Sequence, residues 1–129
     1  MLNQHTLNQH PLKRLTAVVF ALLALAASPI LAQSKLDFTL MNDTGLTIAE
    51  IYVSPNDSDE WGEDIMGKDV LKHRESVDIE FSRKEKSCNW DLKIVDEDNN
   101  DIEWIELDLC KASHITLQYR GKKATAIIK

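Results

Sequence analysis

Cysteine, glycine, proline and aromatic side chains are all scarce in this 129-residue chain, which carries 2 Cys, 4 Gly, 3 Pro and only 6% Phe, Trp and Tyr. Two cysteines with no Cys-x-x-Cys spacing leave too few soft ligands for a zinc site and no redox-active dithiol motif. Glycine is too sparse for a phosphate-cradling loop, and neither a Gly-x-Ser-x-Gly elbow nor a His-Glu-x-x-His pair occurs. No apolar run approaches the ~20 residues of a membrane helix. Cations are outnumbered, 15 Lys+Arg against 21 Asp+Glu, for a net charge of −6. An acidic surface repels phosphate backbones and anionic lipid, so nucleic acid and membrane surfaces are disfavoured partners. The length suits one domain and excludes a large multidomain enzyme.

What is present begins with an export signal. Lys13 and Arg14 precede a 13-residue apolar run, residues 15–27, in which Thr16 is the one polar side chain. Ser28, Pro29, Ile30 and Leu31 follow, and then the small residue Ala32. A positive start, a short apolar middle and a small residue at the cut describe a secretory signal peptide over residues 1–32. Cleavage is expected after Ala32, with Ile30 as the imperfect element three residues before the cut. A retained membrane anchor is the alternative, against which stand the short run and Pro29. No Cys near the cut offers a lipid attachment point. Export leaves residues 33–129, 97 residues with a net charge of −8.

Cys88 and Cys110 both follow the signal. An even pair in an exported chain reads as a disulfide. Closing a loop of 22 positions is worth roughly 3–3.5 kcal/mol in the chain-entropy model.

The mature chain alternates apolar and polar residues with period two, the signature of half-buried strands. Leu36, Phe38 and Leu40 alternate with Asp37 and Thr39. Asn42-Asp43-Thr44-Gly45 is turn chemistry, and residues 46–53 are β-branched and alternating, so the two segments are expected to form an antiparallel hairpin. Residues 54–68 form a loop, followed by a short strand at Val70-Leu71. Val77, Ile79 and Phe81 mark the cleanest strand. Trp90, Leu92 and Ile94 mark another, residues 102–109 a further one, and residues 114–119 and 124–128 the last two. Seven or eight short strands predict an all-β fold, a small antiparallel β-sandwich or barrel forming a single domain over residues 33–129.

The 88–110 hairpin carries a conflict of register. A two-residue turn at Asn99-Asn100 sets Trp90 against Leu109, Leu92 against Leu107 and Ile94 against Ile105, but leaves Cys88 one residue from Cys110. A three-residue turn sets the cysteines opposite each other but puts Leu92 against Glu106. A β-bulge between Leu107 and Cys110 reconciles them. An irregularity nearer Trp104 is the alternative, because Ile102 and Trp104 fall out of phase with Ile105, Leu107 and Leu109.

Catalytic sets are missing. His73 and His114 are the two histidines after the signal and read as solvated or structural; Trp90 and Trp104 read as core. The densest cluster is the loop at residues 57–64, where Asp57, Asp59, Glu60, Glu63 and Asp64 surround Trp61 and Gly62. Hard oxygen donors at this density suit calcium. Trp61 is expected to anchor the loop against the sandwich, Gly62 to permit its turn, and Asp57, Asp59, Glu63 and Asp64 to be held close together as metal ligands. The plainer reading is a solvated loop with no cofactor. Asn42-Asp43-Thr44 also matches a glycosylation acceptor.

Several strings together resemble a family of small exported bacterial proteins of unknown function. They are Asn42-Asp43-Thr44-Gly45, Ile51-Tyr52-Val53-Ser54-Pro55, Trp61-Gly62-Glu63-Asp64 with Met66-Gly67, Cys88-Asn89-Trp90-Asp91-Leu92-Lys93, and Leu109-Cys110 followed by Ile115-Thr116-Leu117. The family pattern is N-x-T-G, L-Y-V-S-P, W-G-x-D-x-L-G, C-x-W-D-L-K and L-C, and the resemblance spans residues 38–119. Ile51 and Met66 depart from it where the family favours Leu. Some members carry the label argininosuccinate lyase, but such lyases are long helical tetramers whose site this short β-rich chain cannot supply. The resemblance implies export and a β-rich fold, and no established activity.

The leading expectation is a non-enzymatic periplasmic or secreted domain, monomeric, that binds an unknown protein, glycan or small ligand. A calcium-stabilised module using the 57–64 loop is the second expectation, and an exported hydrolase with an acid pair the third. Intact-mass measurement of exported protein is expected to give a chain starting at Gln33, lighter by two hydrogens than its reduced form. A start at Met1, or two free thiols in freshly purified material, would contradict this reading.

Overall fold

A computed structural model describes residues 34–129. The signal peptide and its cleavage point lie outside the described residues. Seven strands form two sheets: β1 (Phe38–Asp43), β2 (Ile48–Pro55), β3 (Ser76–Ile79), β4 (Asn89–Asp96), β5 (Asp101–Asp108), β6 (His114–Arg120) and β7 (Lys123–Ile128). One sheet runs β3-β1-β6-β7 and the other β2-β4-β5. The all-β sandwich reading therefore holds, with one departure from antiparallel pairing: β1 and β6 are parallel.

The period-two pattern explains the layers. Leu40, Ile115 and Leu117 from one sheet and Ile48, Ile51, Leu92 and Ile94 from the other are almost wholly shielded from solvent, and Trp90 and Trp104 join them in the core. Each indole N–H finds a carbonyl, that of Trp90 on Ser87 and that of Trp104 on Thr125. The second bond ties β5 of one sheet to β7 of the other.

The expected β1–β2 hairpin does not form, because the two strands belong to different sheets. The cause is Asn42. Its side chain is fully buried; its Nδ2 donates to Leu46 O at 2.8 Å and to Leu71 O at 3.0 Å, and its Oδ1 accepts from Thr44 N at 3.0 Å and from Thr44 Oγ1 at 2.6 Å. The Thr44 hydroxyl in turn accepts from Leu46 N. An amide with all its bonding capacity used inside the core is rigid. It folds the chain across the edge of the sandwich, so that β2 starts in the opposite sheet, where Ile48 bridges to Leu71. Gly45, at φ +85, takes the one backbone conformation in this crossing that disfavours a side chain. The same burial bears on the glycosylation-acceptor reading of Asn42: a glycan on Nδ2 would replace one of the two donated hydrogens and has no room in this fold.

The 88–110 hairpin follows neither expected register. Leu92 faces Trp104 and Ile94 faces Ile102, then the register shifts so that Trp90 faces Leu107. The irregularity lies just past Trp104, at Ile105 and Glu106, as the alternative reading held, and not between Leu107 and Cys110. Glu106 has φ +57, and its N–H donates to Asp91 Oδ1 at 2.9 Å. The extra residue turns Ile105 outward, 65% exposed, and so keeps Trp104 and Leu107 both in the core. The turn falls earlier than expected, on residues 97–99 between the bonded Asp96 and Asn100, because Asp96 governs it. The Asp96 carboxylate accepts from the N–H groups of Asp98 and Asn100 and from the Asn100 side chain. Those bonds, the Asn100 N–H foremost, hold its carboxyl below the ordinary value against the opposing effect of burial. After β5 a 3₁₀ turn, Leu109–Lys111, capped by Asp108, swings Cys110 onto Cys88. The disulfide thus joins the start of β4 to the end of the hairpin.

Val77 and Ile79 lie on β3, which ends before Phe81; Phe81 packs edge-on against Trp90 with ring centroids 4.9 Å apart. The Val70-Leu71 strand is reduced to the single bridge at Leu71.

Asn42→Ala strips partners from two carbonyls and from Thr44. At about 1–3 kcal/mol per orphaned buried group, the expected loss is about 3–5 kcal/mol in urea denaturation. A loss below about 1 kcal/mol would show that water replaces the side chain and that Asn42 does not hold the crossing.

Candidate functional site

The acidic loop is the first place to look. Trp61 is half-buried, as expected of an anchor, and it packs on the side chain of Lys93. The Lys93 ammonium lies 4.9 Å from the Trp61 ring centre and 4.9 Å from that of Tyr52. The Tyr52 hydroxyl donates to Glu50, whose acceptance of that bond, with partial burial, raises the phenol above its ordinary value. The two ring faces are thereby occupied by the chain itself.

Asp64 is a structural residue. Its Oδ1 accepts from Ile51 N at 2.9 Å and from Met66 N at 3.0 Å, and Ile65 N donates to Ile51 O. Ser54 Oγ donates to Glu60 O. The loop therefore runs back along the free edge of β2 and satisfies its backbone, which protects an edge that would otherwise pair with another chain. It does not fold over one end of the sandwich. Asp57, Asp59 and Glu63 are exposed, and no three of Asp57, Asp59, Glu63 and Asp64 bring ligand atoms within 4.8 Å of one another. The expectation that they are held together is corrected: Asp64 is pulled onto the β2 edge, away from a shared centre. Gly62 does not need the left-handed region, which is taken by Gly67 at φ +61. Among the described residues the one close group of potential ligands is Cys88, Asp108 and Cys110, and there the two sulfurs are bonded to each other.

The hydrolase reading finds a Ser–His contact, Ser113 Oγ to His114 Nδ1 at 3.2 Å. The hydroxyl also reaches Lys129 O, and among the described residues no carboxylate bonds His114 to orient it. Both side chains are exposed. The pair lacks the third member that makes such a hydroxyl a nucleophile.

A different surface emerges on the outer face of the four-stranded sheet. Strand register sets its rows. Asp78, Thr39 and His114 form one row; Ser76, Met41, Thr116 and Ile127 the next; Asp43, Gln118 and Thr125 the third. The first two rows line a depression of about 260 Å³, with Met41 and Ile127 as apolar walls and Thr39, Thr116, His114 and Lys129 offering hydrogen bonds. A larger hollow of about 580 Å³ between the segment 66–72 and β3 is wider open to solvent.

The third row ends in a charged cluster. Asp43 sits half-sunk at the end of β1. Its Oδ1 accepts from Arg74 Nη1 at 3.3 Å, and its Oδ2 from Gln118 Nε2 at 3.0 Å and from Arg120 Nη2 at 3.3 Å. His73 Nε2 stands 3.8 Å from Oδ1, while its Nδ1 accepts from Gly45 N at 3.0 Å. That bond places the ring proton on Nε2, facing Asp43. The bond from Gln118 first, then the two arginines, hold the Asp43 carboxyl below the usual range against the opposing effect of burial. Sequence reading missed this cluster. Its members come from three segments, and the one available signal is the polar run His114, Thr116, Gln118, Arg120 on alternate positions of β6, a polar face with its apolar partners turned inward.

Asp64→Ala is expected to cost about 2–3 kcal/mol, since two N–H groups lose a charged acceptor, and to speed hydrogen exchange at Ile51. Calcium at about 10 mM, well above the range of weak extracellular sites, is expected to change tryptophan fluorescence and melting point no more than matched NaCl does. A calcium-specific rise would show that the four carboxylates rearrange around the ion.

No family model and no curated protein matches the chain. Among solved structures it is similar to the NMR structure of a protein from Eubacterium rectale, with a TM-score of 0.51 at 14% identity, over 71% of this chain and 85% of that one. At that identity the likeness is one of fold.

Proposed function

We propose that the protein is an exported, non-enzymatic binding domain whose ligand lies on the outer face of the four-stranded sheet. The observation that carries this is the depression formed by the Met41 and Thr39 rows, where apolar walls alternate with hydrogen-bonding groups on a rigid strand scaffold. Small-ligand sites combine those two features. The Cys88–Cys110 cross-link supports export, since such bonds persist in oxidising compartments. Among the described residues no helix is long and apolar enough to cross a membrane. The ligand class that fits is a glycan fragment or other small polar molecule with an apolar face. The opposite sheet is a poorer candidate, because Lys93 already covers a face of both Trp61 and Tyr52 there.

Nitrogen-correlated NMR of the mature domain against saccharides and peptidoglycan fragments tests the reading. A true ligand is expected to move the amides of Met41, Thr116 and Ile127 and to raise the melting midpoint. Thr116→Arg, which fills the depression from an exterior position, is expected to weaken binding by about tenfold or more with the midpoint of the free domain unchanged. Strongest shifts on the β2–β4 face or the 57–64 loop would overturn it.

A further inference from the structure

The Asp43 cluster carries more than a surface ion pair. We propose that Arg74 and Arg120, braced by Asp43, form a receiving site for an oxyanion group, a carboxylate, sulfate or phosphate ester. The ligand's body would lie on the adjoining depression, a part of the inference that rests on the binding face proposed above; the anion site itself does not.

The donor count comes first. A guanidinium has five N–H donors. Arg74 and Arg120 each donate one bond to Asp43, on opposite oxygens, and among the described residues neither makes another. Their side chains are 65% and 63% exposed, against 13% for Asp43. The acid is the fixed base and the two guanidinium groups are the presented surface. Two cations against one anion leave an excess of one positive charge within the bonded group, with Lys72 in the same turn as Arg74 and Lys123 opposite Arg120 in strand register. Glu75, the nearest acid in sequence, accepts from the Lys72 N–H. Glu97 and Asp98 line a hollow with Gly45, Leu46 and Thr47, and none of the bonds to Asp43, Arg74 or Arg120 involves them. At physiological salt the screening length is about 8 Å, so the acids on the far side of the domain are attenuated at this spot.

A second observation is the backbone of Arg74. It sits third in the turn Lys72–Glu75, closed by Glu75 N to Lys72 O at 3.0 Å, with φ +76. That region suits Gly or Asn and disfavours a long side chain. An exposed ion pair contributes too little to offset such a preference. The Arg74 N–H is also tied to Asn42 O, so the buried crossing aims this turn. An unfavourable residue held by a rigid support is what a recognition group requires.

The test is a titration of the mature domain with sodium sulfate, phosphate and acetate, at ionic strength balanced with NaCl, read by amide and guanidinium NMR. Saturable millimolar binding is expected to shift Arg74, Arg120 and Gln118. Arg74→Asn keeps a residue suited to the left-handed backbone and removes the cation; it and Arg120→Gln are each expected to weaken binding roughly tenfold with the melting midpoint little changed. Arg74→Lys is expected to restore part of it. Arg83→Gln, beyond the far end of β3, is expected to do nothing. Shifts that follow NaCl, or that persist in Arg74→Asn and Arg120→Gln, would mean an adventitious ion only and overturn the proposal. Glucuronate and glucose separate the two readings. Shifts at the arginines without shifts at Met41 and Thr116 leave the anion site standing and refute the binding face. Shifts at Met41 and Thr116 with glucose and glucuronate alike, and none at the arginines, do the reverse.

Discussion

One buried amide organises this domain. Asn42 is fully buried where the chain crosses between the sheets, and its side chain makes four hydrogen bonds, two to carbonyls and two from Thr44. Burying an amide without partners would cost several kcal/mol, so the core tolerates Asn42 only when the Thr44–Leu46 crossing and the Leu71 segment are both in place. That makes a local polar residue a long-range constraint. It ties the end of β1 to the start of β2 in the other sheet and to the turn that leads into β3. Hydrophobic burial supplies the larger free energy, but it is non-directional; the amide selects the topology in which that burial occurs. Among the described residues no buried side-chain polar atom lacks a partner, which shows how fully the core depends on such pairing.

The same crossing generates the site. Successive residues of a strand point to opposite faces. Asn42 points inward and holds the fold, and Asp43, one residue on, points outward and gathers Gln118, Arg120 and Arg74. The Arg74 backbone is bonded to Asn42 O, so the cation's position inherits the rigidity of the core. The parallel β1–β6 pair matters as well: it brings the ends of both strands to one end of the sheet, where Asp43 meets Gln118 in register. An antiparallel pairing would have set Asp43 beside the start of β6.

The opposite sheet shows the same economy of structure applied to protection. The acidic loop reads, in sequence, as a collection of metal ligands. In the fold its most useful carboxylate, Asp64, accepts the free N–H of edge strand β2, and Trp61 closes over Lys93. Like charges in that loop separate into solvent, as solvated carboxylates do in the absence of a strong organising force. Carboxylate density in a sequence shows where charge accumulates; whether the groups converge depends on which of them the backbone claims first.

Period-two alternation is a local property, because each strand residue faces its layer irrespective of its partners. The sequence by itself therefore determined the strand count to within one, the all-β class, the inward face of Trp90, Leu92 and Ile94, and the pairing of the only two cysteines. The irregularity near Trp104 was also legible, since Ile102 and Trp104 stand out of phase with Leu107 and Leu109. Sheet membership was not, because it depends on hydrogen bonds that exist only once distant segments meet; nor was the position of the turn that Asp96 builds, because several acids and amides in 96–101 offer the same turn chemistry. The tertiary structure alone decided that β1 and β2 part, that β1 lies parallel to β6, and that Arg74 and Arg120, 31 and 77 positions away, converge on Asp43. Contacts at such separations follow from how whole faces pack and register, which no local pattern encodes.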